Sequence, residues 1–525
     1  MQKNSHPDFH VPVRTSLIST LRGCKFAIVA VAASLAAVCA AAADATFPNT
    51  DGKGDLASAA SWGLEAVPDA STRVVFTKAM TATASEDISF AGIYMNAYGS
   101  TVTLDMRDET TGASPRKIDL SSAITFKGVE KQILRLRGGE WDMHGKSVTI
   151  FANSDYGNSA GSRIELLDGI RMYNVANLRG GWWPDGKHRI TVAGAGTVVT
   201  AGVFQVAAGG GVTNVATIAD GATLVVTNSA NGSLSIDKPD TSGNQAKFSG
   251  IFVTNGARLL KNVGGQIYLG RHAAVGNFLR VESGATAYLG GVFHFAYSEE
   301  GTTANSSRDN LISVSGTGSN LRIPGLMLGY GGASSGNSNN VVSVSDGAVL
   351  TNAYTSLRGH DNGFVISNAT MRTTNGGIEC RADSLGTATN CFVRLQGAAP
   401  RLTVDGSSNP CTFSGSFRFE YDIPEGGYET VPVTLSQWAT MAANTEFVIN
   451  GVPELQESMR KREVKSASYP LLKANAGLNT SGPSASIASR CNARLPGGAS
   501  LSYANNTFTL NVEVDLKRAT MIVFR

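Results

Sequence analysis

The sequence predicts an all-β protein built around a parallel β-solenoid, and three observations carry that prediction. Glycine is abundant, 59 of 525 residues, while charged residues make up only 16%. With Val, Thr, Ser, Asn and Ala filling the rest, this is material for strands and turns rather than helices. A single unit recurs along the chain: a short β-branched strand, a tight polar turn with a glycine, a small residue and a second short strand. The copies also come at a nearly constant interval.

The unit is read directly in LRLRGGEW around Gly139, IELLDGIRM at Gly169, ITVAGAGTV at Gly194, ATIADGATL at Gly221 and IFVTNGARL at Gly256. It continues as LRVESGATA at Gly284, ISVSGTGSNL at Gly316 and VSVSDGAVL at Gly347, with a degenerate VISNATM centred on Asn368 and a last copy, VRLQGAAP, at Gly397. Successive anchors from Gly139 to Gly347 are 25 to 35 residues apart, a solenoid-like period and too short for the four-stranded blade of a propeller. One unit has too little apolar surface for a core of its own; stacking the units buries the Val, Ile and Leu of every strand in one column. The polar stretches Glu299 to Asn310 and Gly331 to Asn340 are expected to project from the rod as loops.

The ends read differently. Residues 1–43 have the build of a secretory signal: a polar start with Lys3, Arg14, Arg22 and Lys25, an apolar stretch from Phe26 to Ala42, and the small residues Ala41-Ala42-Ala43 before an expected cleavage at Asp44. The stretch is short and Ala-rich for a membrane span, and Val38 before Cys39 suits lipid attachment poorly. Removing the signal takes four of the 44 basic residues and one of the 41 acidic, leaving 40 of each. A near-neutral mature chain carries neither a nucleic-acid footprint nor a polybasic membrane patch. Residues 44–120, with Trp62, Pro68 and the strands TRVVF and DISFAGIYM, are expected to cap the solenoid. Residues 121–415 are its repeats, and residues 416–525 a small C-terminal β module with one helix, from Pro453 to Lys465.

The anchors VSGTGSNLRIPGLMLGYGGASSGNSNNVVSVSDGAVLTN, residues 314–352, resemble the repeat of autotransporter passengers and of secreted proteins that carry a PEP-CTERM sorting signal. The resemblance is strongest over these residues and weaker over residues 130–400. It implies a right-handed β-solenoid displayed at, or shed from, the cell surface, without catalysis. The ending MIVFR departs from both groups, since it provides neither the membrane barrel of the first nor the apolar helix and basic tail of the second.

β-Solenoids also carry polysaccharide lyases and hydrolases, so a glycan-active protein is the alternative. The residues of such an enzyme would be converging carboxylates. Asn49-Thr50-Asp51 and Arg358-Gly359-His360-Asp361 approach polygalacturonase-like motifs singly, and the second reads as a polar turn. Asp51-Gly52-Lys53-Gly54-Asp55 has Lys53 where a calcium ligand is needed. His144, His188, His272 and His294 are scattered singly and are expected to be satisfied or solvent-facing. No catalytic residue, metal site or cofactor motif is assigned. Trp182 and Trp183, before Pro184-Asp185-Gly186, are the expected glycan-stacking pair, with burial as coil caps the alternative. Four cysteines remain after signal removal, and Cys380 and Cys391, eleven positions apart, are the expected disulfide. The expected setting is extracellular or outer-surface, with extracellular glycans or cell-surface components as partners.

Overall fold

When strands of alternating apolar and polar residues stack in parallel, each inward side chain meets its equivalent in the next coil. The computed structural model of the chain has this stack. It describes residues 43–48, 52–107, 115–126, 130–150, 161–181, 186–208, 211–236, 246–271, 273–297, 306–330, 336–380, 388–405, 411–413, 416–442, 444–479 and 483–516. Apart from Ala43 these belong to one compact unit, Asp44–Arg525.

One face of the solenoid is a 15-stranded parallel sheet that runs from Lys53–Asp55 to Glu446–Asn450. At about 4.8 Å per rung it is about 70 Å long. Leu134, Ile164, Ile190, Ala216, Ile251 and Leu279 occupy successive rungs of one inward row, all of them buried. The second and third faces belong to one 28-stranded network. In some coils they are separate strands, as in Thr223–Val226 and Leu234–Ile236. In others, such as Asn320–Leu328 and Val349–Leu357, one strand runs round the corner between them.

The three corners are built differently. From the first face to the second, the chain turns on two successive left-handed residues, such as Asp220 and Gly221 (φ 55° and 76°) or Asp346 and Gly347 (57° and 79°), the backbone of a tight primed turn. These are the glycine anchors of the repeat. The second-to-third corner is made within strand structure where one strand spans both faces, in one place through a register shift between Met172 and Val175, and by a short connection elsewhere, as between Arg258–Lys261 and Ile267–Arg271. From the third face to the first, a single left-handed residue of almost any type, among them Lys131, Lys187, Thr213, Asp309 and Asn339, precedes a polar side chain that points into the core. Phe248 takes this place at φ 52° although 56% exposed, a strained conformation for a bulky residue.

Those inward polar residues form a ladder. Gln132, Ser162, His188, Asn214, Ser249, Asn277, Asn310, Asn340 and Asn362 fall on successive rungs just before the first-face strands, and Cys391 takes the next rung. From His188 to Asn340 the backbone N–H is capped by the side chain one coil on: His188 N donates to Asn214 Oδ1 (2.9 Å), Asn214 N to Ser249 Oγ (3.1 Å), Ser249 N to Asn277 Oδ1 (2.9 Å), Asn277 N to Asn310 Oδ1 (2.9 Å), Asn310 N to Asn340 Oδ1 (3.1 Å) and Asn340 N to Asn362 Oδ1 (2.8 Å). A buried amide is tolerated because its neighbours satisfy it. Asn310 and Asn340, expected at the ends of projecting loops, are therefore interior residues.

Strand pairing on the first face crosses the expected boundaries at 120 and 415. Thr101–Asp105 pairs in parallel with both Met80–Thr83 and Ile133–Arg137, and Phe417–Asp422 with both Cys391–Gln396 and Glu446–Asn450. Coils thus extend through both flanking segments. At the N-terminal end, Trp62 closes the core against Phe47 and Phe90, with ring centroids 4.5 and 5.9 Å away, and its Nε1 donates to Leu56 O at 2.9 Å. At the other end the antiparallel strands Ser466–Ala474, Ala499–Ala504 and Thr507–Glu513 bring Phe508 to 4.6 Å from Phe447. The expected helix spans Val452–Lys461 and buries Leu455 and Met459, and a second, Pro483–Asn492, precedes the closing hairpin. Among the described residues no helix is long and apolar enough to cross a membrane.

Candidate functional site

Outward side chains of the third face form a row across the coils: Arg179, Gln205, Ser235, Tyr268, His294, Met327, Ser356 and Glu379. Beyond the strand position of Tyr268, His294 and Met327, the chain passes through a left-handed residue two positions on, Gly270 (φ 74°), Ala296 (59°) or Gly329 (70°). That kink reverses the alternation, so the third residue on, Arg271, Tyr297 or Tyr330, comes to the same side. The result is an aromatic cluster over successive coils.

Its geometry is continuous. Tyr268 and His294 have ring centroids 5.5 Å apart, Tyr268 and Tyr297 5.9 Å, His294 and Tyr297 5.2 Å, and His294 and Tyr330 5.9 Å. Tyr297 and Tyr330 lie 6.0 Å apart and nearly parallel, at 12°. The Arg271 guanidinium sits over Tyr268 at 5.0 Å and Tyr297 at 5.9 Å, contacts in the range of cation–π attraction. Tyr354, one coil further, packs against Gly325, where a Cβ would meet its ring at 2.3 Å. Four of the 13 tyrosines thus gather on one stretch of one face.

Tyr268 and His294 form a floor, 6% and 5% exposed, while Tyr297, Tyr330 and Tyr354 are half-buried. The Tyr268 hydroxyl donates to Gln266 Oε1. Burial, with the positive charge of Arg271, pushes the His294 imidazole down to about 4, so it is neutral at pH 7, and its buried Nδ1 has no hydrogen-bond partner. Burial raises the Tyr268 hydroxyl, and burial with the neighbouring Tyr330 raises Tyr354. The cluster provides ring faces and neutral polar atoms, the equipment of a binding site.

The residues singled out from sequence fall elsewhere. Trp182 and Trp183 lie outside the described residues, as do His272 and Asp51. Arg358 is buried, its Nη1 donating to Leu357 O at 2.9 Å and its Nη2 lying 3.4 Å from Glu379 Oε2, and Gly359–His360 forms a corner. Lys53–Asp55 is a first-face strand. His188 and His294 are neither solvent-facing nor satisfied: both ring nitrogens of His188 are buried without a hydrogen-bond partner. The expected Cys380–Cys391 disulfide is not formed; all four described cysteines are free, buried thiols. Cys380 and Cys391 are hydrogen-bonded to each other, which with burial holds the Cys380 thiol well above its usual range.

His144 is not isolated as its spacing suggested. Its Nε2 lies 3.6 Å from Asp119 Oδ1 and its Nδ1 3.7 Å from Asp142 Oδ2. One ligand atom from each of the three side chains lies within 4.8 Å of the other two, and the group is on the surface, with Asp119 and His144 exposed.

Comparison with known proteins brings no match to a family model, a curated protein or a solved structure.

Proposed function

We propose that the chain is an exported, adhesin-like rod that presents loops and an aromatic groove outside the cell, in the manner of autotransporter or PEP-CTERM-associated passengers, and that it does no chemistry on what it meets. The observation that carries this reading is the placement of the long connections. In the central coils, segments 151–160, 182–185, 237–245, 298–305, 331–335 and 381–387 each fall between a third-face strand and the next first-face strand, whereas first-to-second-face connections around Gly221, Gly256 and Gly347 are tight turns; long first-to-second connections, such as 106–116 and 423–432, come only towards the two ends of the stack. Variable sequence along one edge of a uniform rod is how a scaffold carries recognition. The signal-like residues 1–43 and the balanced charge of the mature chain support the extracellular part of the reading.

The test has two arms. Mass spectrometry of the native protein should find an N-terminus near Asp44; an intact Met1–Ala43 segment would overturn export. Beads coated with mature chain should adhere to host or neighbouring cells, and replacing residues 237–245 and 298–305 by short turns should abolish adhesion without changing the circular dichroism spectrum. Unchanged adhesion would overturn loop display, and release of reducing ends from polysaccharides would overturn the non-catalytic reading.

A further inference from the structure

We propose that the strip formed by Tyr268, His294, Tyr297 and Tyr330 binds a linear, uncharged, β-linked polysaccharide lying along the solenoid axis. The inference deepens the display reading by naming the ligand class of the aromatic groove.

The chemistry selects among polymers. A peptide added as a strand needs free main-chain groups, and here the third-face strands are already paired on both sides, as Val292–Tyr297 is with Ile267–Arg271 and Asn320–Leu328. A nucleic acid needs net positive charge, and the mature chain has as many acidic as basic residues. A pyranose ring has an apolar face that stacks on an aromatic ring and a rim of hydroxyls that seek neutral donors and acceptors. The cluster offers both in the parallel, half-buried side chains of Tyr297 and Tyr330, whose rings are apolar and whose hydroxyls donate and accept. The two half-buried rings, Tyr297 and Tyr330, stand on adjacent coils with centroids 6.0 Å apart along the stack, and an extended β-linked chain presents successive ring faces in a straight row. An α-linked chain coils away from such a row.

The experiment is calorimetric titration of the mature protein with cellohexaose, xylohexaose and mannohexaose, and with maltohexaose as the coiled control. Binding to at least one β-linked hexamer is expected, with little or none to maltohexaose. Tyr297→Leu and Tyr330→Leu, which keep apolar bulk without a ring face, should each weaken it about tenfold or more, while Tyr330→Phe stays within about threefold. Nitration of Tyr297 and Tyr330 by tetranitromethane, read by peptide mass spectrometry, tests the site without any substitution, and the bound hexamer should suppress it. Absence of binding to all three β-linked hexamers, equal binding to maltohexaose, unaltered binding by both folded Leu variants, or nitration unaffected by ligand would each overturn the proposal. Since this assay contains no cells, it can fail while adhesion through the loops stands, and the reverse.

Discussion

Asn340→Ala isolates one rung of the buried ladder. Asn340 is 0% exposed. Its Oδ1 accepts from Asn310 N (3.1 Å) and Asn310 Nδ2 (2.8 Å), and its Nδ2 donates to Asn362 Oδ1 (3.0 Å) and Ser307 O (3.1 Å). After truncation most partners keep another contact: Asn310 Nδ2 still donates to Ser307 Oγ (2.9 Å), Ser307 O still accepts from Ser338 N (3.2 Å) and Asn362 Oδ1 still accepts from Asn340 N (2.8 Å). The group left stranded is the Asn310 N–H. A buried orphan donor costs about 1–3 kcal/mol and each of the three other lost bonds about 1 kcal/mol net, so the local loss is at least about 4 kcal/mol. Because each coil contacts chiefly its neighbours, global unfolding of a long stack is a poor two-state measure. Native-state hydrogen exchange over residues 306–345 is the better assay, and protection there should fall about a thousandfold. Asn339→Gly is the control, since Asn339 is the exposed left-handed residue next to it (φ 55°) and glycine accepts that backbone freely. Equal protection in the two variants would refute the claim that these amides hold the corner.

Two further outcomes follow from buried groups on or beside the same ladder. Burial holds the His188 imidazole at about 4 against 6.5 in the unfolded chain. As pH falls through that window the unfolded state takes up a proton the folded state refuses, so stability present above pH 6.5 is lost on acidification, by about 2 kcal/mol between pH 7 and pH 5. His188→Asn, which substitutes a ladder amide, should remove that part of the acid sensitivity in denaturant midpoints measured at the two pH values; an unchanged pH slope would show that His188 titrates normally. For the paired thiols, the hydrogen bond that Cys380 shares with Cys391 as donor, and burial, keep Cys380 protonated, and a thiol attacks as thiolate. Native protein prepared reduced should therefore keep its four mature-chain thiols for hours in oxidised glutathione, whereas refolding in the same buffer should bridge Cys380 to Cys391 and lower the count by two. Rapid loss of thiols from the native protein would contradict the burial argument.

The fold was legible where a corner demands particular residues. Two successive left-handed positions select Asp-Gly or Asn-Gly, so Gly169, Gly221, Gly256 and Gly347 announce the first-to-second-face corner and give the period. The second-to-third corner lies within strand structure in some coils and in a connection of no fixed residue type in others, as between Arg258–Lys261 and Ile267–Arg271, and leaves no mark. The third-to-first corner accepts Lys, Thr, Phe or Asp, so the unit read as two strands when each coil has three faces. The coils before Ile133 and after Gln396 escaped because their first-to-second connections are not the Asp-Gly turn: residues 84–87, between Met80–Thr83 and Ile88–Phe90, contain no glycine, and the stretch between Phe417–Asp422 and Val433–Leu435 is too long for it. Asn310 and Asn340 read as loop residues because an isolated Asn favours turns; only the stack supplies the second amide that lets each one be buried. The aromatic cluster did leave a trace. Tyr268-Leu-Gly-Arg271, His294-Phe-Ala-Tyr297 and Met327-Leu-Gly-Tyr330 repeat one spacing around a small residue, but the spacing of three means nothing until the left-handed kink at the third position is known.

The ladder also accounts for where recognition can accumulate. At first-to-second-face corners such as Asp220-Gly221 and Asp346-Gly347 the two left-handed residues are the whole turn, whereas nearer the ends of the stack the same corner takes a longer route, as between Phe417–Asp422 and Val433–Leu435. At the third-to-first corner the register of the next strand is set after the connection, by an amide such as Asn277, Asn310 or Asn340 that locks onto its neighbours. Whatever length of chain precedes it, the same buried contact reseats the strand, and a longer connection costs only slowly growing closure entropy. Insertions are therefore tolerated immediately upstream of the ladder, and Arg271, Tyr297 and Tyr330 stand at the third-face strand ends from which those connections leave. The buried amides and the exposed edge are thus two sides of one device: the rung that fixes the coil is what frees the edge to vary.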